Sequence, residues 1–256
     1  MAVSGVRLSL LTCGQLEADL SQFRPGRGVG TRVRVPIPAY LIQTSDQTIL
    51  VDTGMPDFCY AGDPRALAEP DESDPPAFVP YGSAGDSITG QLAAIGLRPE
   101  DITLAVTTHL HVDHCGGNAH FTHCPIIIQR AELDAARASG REEAWRLPPA
   151  ARFQPIDGDH TLAPGIELIA TSGHTPGHQS LMVRPSSRAP LLFTVDAVYL
   201  RQLWLADELG AVADSVAARA SMDHLRALAA QTGAEVICGH DAAQWASLRH
   251  PPAFYE

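Results

Sequence analysis

Residues 107–118 read T-T-H-L-H-V-D-H-C-G-G-N, and no other stretch narrows what this chain can become so sharply. His109, His111, Asp113 and His114 fall within six residues, and all four are side chains that ligate metals. His109 and His111 stand two apart, a spacing that separates them on a helix but puts them on one side of a strand. The residues leading in, 102–108, are apolar and β-branched, as a buried strand requires. The first two histidines are therefore expected where that strand ends, with Asp113 and His114 approaching from another direction after a turn. Gly116 and Gly117 follow, where close backbone approach costs least. Two nitrogens from one side, with a carboxylate and a nitrogen from the other, suit a pair of metal ions better than a single ion. Imidazole and carboxylate without thiolate favour zinc, with iron, manganese and cobalt as alternatives. The plainer reading, a polar turn carrying solvated histidines, does not account for four ligand types at this spacing.

The surrounding pattern predicts strands over 6–11, 33–43, 48–51, 102–108, 125–129, 166–171, 179–183, 191–195 and 235–238. Helical spacing runs over 86–97, 130–139 and 214–231, the last Ala-rich with an acidic start. Residues 21–30 read as a loop, and 140–152 carry no clear pattern. Strands and helices thus come in two rounds, which predicts an α/β (α+β) chain folded as two sheets packed face to face with helices outside, an αββα sandwich. No linker divides it, so 1–256 is expected to be one domain. Residues 55–85 are the odd segment, with six prolines, many acids and little periodicity. A loop that long is expected either as a wall or lid over a site or as a solvated excursion.

Composition removes whole classes of function. A formal net charge of -11 repels phosphate backbones, so nucleic acid is not an expected partner. No apolar run reaches the length of a membrane span, and the first residues carry no secretory pattern, so a cytoplasmic protein with no membrane partner is expected. Cys13, Cys59, Cys115, Cys124 and Cys238 form no CxxC pair and are expected as small buried hydrophobes rather than disulfides, including the two beside candidate ligands.

Three more candidate ligands follow predicted strands: His174 in S-G-H-T-P-G-H, Asp196 closing L-F-T-V-D, and His240 closing V-I-C-G-H. Each alone reads as a turn residue as readily as a ligand; together with the first motif they make five histidines and two aspartates. The whole set resembles the metallo-β-lactamase superfamily, and within it the N-acyl homoserine lactone lactonases. The residues carrying the resemblance are Val51-Asp52-Thr53-Gly54-Met55-Pro56, 109–118, 125–132, 174–181, Asp196 with Tyr199 three residues on, and Gly239-His240-Asp241. The resemblance implies one metal on His109, His111 and His174, a second on Asp113, His114 and His240, and Asp196 bridging both. It gives His178 a structural place and puts Asp52 where it orients a ligand histidine.

The chemistry so implied is hydrolysis without a covalent intermediate, for no G-x-S-x-G elbow is present. A water bridging two metals is acidified to hydroxide near neutral pH and attacks a lactone or ester carbonyl, opening an N-acyl homoserine lactone as in quorum quenching. Tyr199 is expected to donate a hydrogen bond to the oxyanion, and Asp113 to carry a proton to the leaving alcohol. Other lactones, aryl esters and organophosphate triesters are the alternative substrates on the same centre. The partner is thus a small molecule, and the protein a monomer or homodimer. Leu16, Leu20, Phe23 and Phe58 are candidates to line a groove for an acyl tail, or else ordinary packing.

Overall fold

The computed structural model describes residues 5–61, 78–140 and 143–256, and within them the strands form one seven-stranded and one five-stranded sheet. The first holds β1 (Arg7–Asp19), β2 (Arg32–Gln43), β3 (Thr48–Val51), β4 (Phe78–Tyr81), β5 (Leu104–Val106), β6 (Pro125–Gln129) and β7 (Arg152–Ile156), in the spatial order β4-β1-β2-β3-β5-β6-β7. The second holds β8 (His160–Ala163), β9 (Ile166–Ala170), β10 (Gln179–Val183), β11 (Leu191–Val195) and β12 (Glu235–Cys238), in the order β12-β11-β10-β9-β8. Helices α1 (Ile88–Ala94), α2 (Val112–Cys115), α3 (Arg130–Ala138), α4 (Arg201–Ala206), α5 (Ser215–Thr232) and α6 (Ala242–Ala246) complete the chain.

Side-chain alternation explains the layering. Leu8, Leu10, Tyr40, Ile42 and Val106 of the first sheet meet Leu168, Leu181, Val183 and Phe193 of the second in one buried cluster between the sheets. Their neighbours in sequence point the other way. Val35, Ile37, Ala39 and Leu41 belong to a second cluster with Ile88 and Leu92 of α1, while Ile169, Met182 and Leu192 pack with Leu225 of α5. The result is the expected αββα sandwich. Helix α5 starts where the Asp214 side chain accepts the N–H groups of Val216 and Ala217, and it stops at Gly233, whose φ is 67°.

Strand direction then places the chemistry. Strands β3, β5 and β6 run parallel, so their carboxyl ends lie on one edge of the first sheet. In the second sheet β9 and β11 are both antiparallel to β10, and β12 is parallel to β11, so these three also end together. The six strand ends lead to Asp52, His109, Glu132, His174, Asp196 and His240.

Strands β2, β3, β6, β10, β11 and β12 lie within a residue of their sequence-predicted bounds. The departures have local causes. Strand β1 continues eight residues past the expected end because a register shift between Thr12 and Gln15, at Gly14 with φ 80°, resets the alternation. Strands β4 and β7 carry Pro80 and Pro155, which a sheet tolerates at its edges, and both are edge strands. Of the segment expected as a wall or lid, residues 62–77 lie outside the described residues; the rest forms a short 3-10 turn over Asp57–Tyr60, strand β4, and a second 3-10 turn over Ala84–Asp86. All five cysteines are buried and unpaired. No helix among the described residues is long and apolar enough to cross a membrane.

Candidate metal centre

The edge where those six strands end gathers all seven candidate ligands. His109, His111, His174 and Asp196 form one group, and Asp113, His114 and His240 another, with ligand atoms within 4.8 Å of one another in each. Past β5 the chain bends at Thr108 and reaches His111, whose own backbone is extended (φ -80°, ψ 155°), then enters the single-turn helix α2, which sends Asp113 and His114 in from a second direction, as the spacing requires. His111 stands exposed at the mouth; the other six are buried.

Asp196 sits between the groups. Its Oδ2 lies 3.3 Å from His174 Nε2 and 3.7 Å from His109 Nε2, while its Oδ1 lies 3.2 Å from His240 Nε2 and 3.3 Å from His114 Nε2. Asp113 Oδ2 is 3.5 Å from His114 Nε2 and 3.6 Å from His240 Nε2. Val195, just before the bridging aspartate, holds φ 49°, a left-handed conformation that costs a β-branched residue about 1–3 kcal/mol. Gly239 makes this turn possible, since a Cβ there would stand 2.4 Å from the Val195 carbonyl oxygen. The buried His178 ring fixes the same turn by accepting the Asp196 N–H at 3.1 Å.

The outer hydrogen bonds assign the histidine tautomers. Pro36 O and the Asp52 carboxylate can only accept, so His240 and His114 present Nδ1–H to them, both at 2.8 Å. The Thr108 hydroxyl donates to Asp52 and therefore accepts from His109 Nδ1–H at 3.2 Å. The Tyr199 hydroxyl donates to Ala211 O at 2.7 Å and accepts from His174 Nδ1–H at 2.8 Å. In the first group this leaves Nε2 lone pairs of His109 and His174 facing each other at 3.2 Å, with His111 Nδ1 at 3.1 and 2.9 Å from them. Three ligand nitrogens on a tetrahedral zinc stand about 3.3 Å apart, given zinc–nitrogen bonds of about 2.0–2.1 Å.

Charge favours a cation here as well. Burial drives His174 down to about 3 and His109 well below the ordinary range, so both rings are neutral near pH 7, the form that ligates. Burial also lowers His114 and His240, but the surrounding carboxylates, Asp113 and Asp196 for both and Asp52 for His114, outweigh it and raise them. Asp113 is pushed up by burial and more than returned by His114 and His240, which hold it at about 2. His114 Nε2 and Asp196 Oδ1 are buried and make no hydrogen bond. Buried polar atoms that make no hydrogen bond are costly, and a metal ion is the partner that this donor set fits. Neither Cys115 nor Cys238 joins either group.

Of the other candidates, Asp52 sits beside His114 as expected, and Phe23 packs edge-on against Tyr199 at 5.5 Å between ring centroids. Leu16 is core, and Phe58 is 41% exposed on a 3-10 turn. Sequence reasoning missed the anchoring by Pro36 and Thr108, and also the buried Glu132 and Gln179. Both lie in segments that carry the resemblance, 125–132 and 174–181, but the resemblance gives neither a role there; their burial and their partners supply one.

Comparison with known proteins agrees with this geometry. The family model described as Metallo-beta-lactamase superfamily matches residues 32–240. An N-acyl homoserine lactonase from Bacillus sp. is 33% identical to this chain, over 93% of it and 94% of the relative. N-acyl homoserine lactonase AiiA from Bacillus thuringiensis subsp. kurstaki is 32% identical over 97% and 98%. A solved N-acyl homoserine lactone hydrolase, with the product N-hexanoyl-L-homoserine bound at its catalytic metal center, superposes with a TM-score of 0.91 at 30% identity, covering 99% of this chain and 100% of that one.

Proposed function

We propose, from the premise that this chain belongs to the metallo-beta-lactamase superfamily, that it is a metal-dependent hydrolase that opens the lactone ring of N-acyl homoserine lactones. The observation that carries the reading is Asp196, one oxygen turned to each of two histidine groups, in a chain that follows the lactonases over 93% and 97% of its length. In this reading His109, His111 and His174 would hold one zinc ion, Asp113, His114 and His240 would hold another, and Asp196 would serve both. A pair of divalent ions so held supplies Lewis acidity, which provides hydroxide near neutral pH and stabilises charge on a carbonyl oxygen.

The chain's own groups do the rest. Burial pushes the Tyr199 hydroxyl well above its ordinary pKa, so it remains a neutral donor. At rest its proton goes to Ala211 O; in the reaction it is offered instead to the carbonyl oxygen of the substrate. Asp113, a carboxylate at every ordinary pH, turns Oδ2 to His114 and His240, and its other oxygen accepts a proton transiently and returns it to the alkoxide that leaves when the ring opens. Phe23, buried in the core, packs against Tyr199 and lies 5.9 Å from the His240 ring, backing both rather than lining open surface. We place this single-domain enzyme in the cytoplasm, where five unpaired cysteines remain reduced.

A pH-stat assay of metal-loaded protein tests the substrate. Acid release is expected from acyl homoserine lactones of several chain lengths and not from a paraoxon-type triester. Turnover of simple γ-lactones or the triester alone would overturn the assignment.

A further inference from the structure

Glu132 lies outside both ligand groups, yet it touches the loops that carry one of them. It sits in the first turn of α3 and is 5% exposed. Its Oε1 accepts the N–H of Leu110 at 2.9 Å, and its Oε2 accepts the N–H of Gly177, also at 2.9 Å. Leu110 stands between His109 and His111; Gly177 follows His174 by three residues. One carboxylate thus fastens the loop after β5 in the first sheet to the loop after β9 in the second.

The approach is close by construction. A Cβ on Gly177 would stand 2.3 Å from the Glu132 backbone nitrogen and 2.6 Å from its Cβ. Gln179 braces the same gap: its side-chain amide donates to Thr107 O at 2.9 Å, and its oxygen accepts from Gln129 at 3.0 Å. All three ligand nitrogens of the first group, on His109, His111 and His174, come from the two loops that Glu132 joins. The second group has other anchors, Asp52 on His114 and Pro36 on His240.

We propose that Glu132 is a positioning residue that sets the spacing of the His109–His111–His174 triangle and thereby controls metal affinity at that position and not at its neighbour. The inference rests on the metal-centre reading above. Hydrogen bonds to a carboxylate are among the strong ones, and losing an outer partner of this kind costs metal sites roughly ten- to a hundredfold in affinity.

The test is Glu132→Gln. Its amide offers one acceptor and one donor group, so one of the two backbone N–H groups faces an N–H and loses its bond. Zinc is titrated against a chromophoric chelator, and the cobalt-loaded protein is followed by its visible absorption, with the metal-free melting temperature as the control for folding. The wild type is expected to load two ions. The variant is expected to keep one at wild-type affinity and to lose roughly ten- to a hundredfold on the other, with the absorption of the three-histidine site weakened. Gly177→Ala, which leaves the carboxylate but crowds its approach, is expected to show the same one-sided loss. Equal weakening of both positions, or none, in both variants would overturn the role of Glu132 alone. A wild type that loads fewer than two ions would overturn the metal-centre reading and this inference with it.

Discussion

Replacing Asp52 by Asn separates metal affinity from folding, and the structure sets the size of the effect. Asp52 is fully buried; Oδ1 accepts the Thr108 N–H, and Oδ2 accepts the Thr108 hydroxyl and His114 Nδ1–H, each at 2.8 Å. Burial opposes its charge and raises its pKa, and His114 is the main group that opposes burial. In Asp52→Asn that desolvation cost disappears, so the metal-free fold loses little. What it does lose is the charged acceptor that orients His114 and supports its Nε2 as a ligand. A hydrogen bond to a charged group contributes about 1.5–3 kcal/mol, and loss of an outer partner costs about ten- to a hundredfold in metal affinity, about 1.4–2.7 kcal/mol at a fixed metal concentration. At about 2–4 °C per kcal/mol for a chain of this size, the rise in melting temperature on adding zinc shrinks by about 3–11 °C. Calorimetric melts with and without metal read both numbers at once. If the metal-dependent rise is unchanged while the metal-free melt falls, Asp52 is only a structural residue and the argument from its three hydrogen bonds is wrong.

Three other outcomes are expected. His111→Ala loses metal and activity together, measured by elemental analysis and the pH-stat assay on the same preparation; retained activity at full metal loss would contradict it. Tyr199→Phe keeps its fold, because the ring still packs against Phe23, and at saturating metal, where the lost acceptor of His174 Nδ1–H does not empty the site, it slows turnover by roughly a hundredfold, the usual cost of one donor to an oxyanion; wild-type rates would remove Tyr199 from the mechanism. His178→Phe leaves the Asp196 N–H buried without its acceptor, which lowers stability by about 1–3 kcal/mol in chemical denaturation; an unchanged midpoint would show that the contact contributes nothing.

Much of this arrangement was legible before any coordinates, for reasons that particular residues make clear. The motif at 107–118 is dense, and the strand pattern before it says where it must sit. His174, Asp196 and His240 follow runs such as Leu191–Val195 and Glu235–Cys238, which are apolar and bounded, so their ends are easy to place. The sandwich follows from how strands and helices alternate. Strands β4 and β7 were hidden because each is short and adjoins a stretch without periodicity, β4 within 55–85 and β7 after the unpatterned 140–152. Short helices α4 and α6, of six and five residues, give a periodic pattern too little length to register. Glu132, Gln179, Thr108 and Pro36 were invisible for a different reason. Glu132 and Gln179 act on backbone groups of residues distant in sequence, and Pro36 offers its own carbonyl to a histidine 204 residues away, so none has a local spacing to read; Thr108 sits beside His109, but its hydroxyl is oriented by the distant Asp52. The Tyr199 hydroxyl also differed in detail: expected to face substrate, it rests between His174 and Ala211.

Six strands deliver their chemistry to one edge of the sandwich, which leaves the opposite edge without duties. The turns there, at 44–47 before β3, 184–190 between β10 and β11, and 233–234 before β12, connect strands whose other ends carry the ligands. Loop tips of this kind are where chains accept insertions most readily. A peptide tag, a surface tether or a fused protein joined at the exposed tip Ser45-Asp46 of the 44–47 turn would sit a full strand length from the histidines, so the enzyme can be immobilised or linked to another module from behind while its working edge stays open.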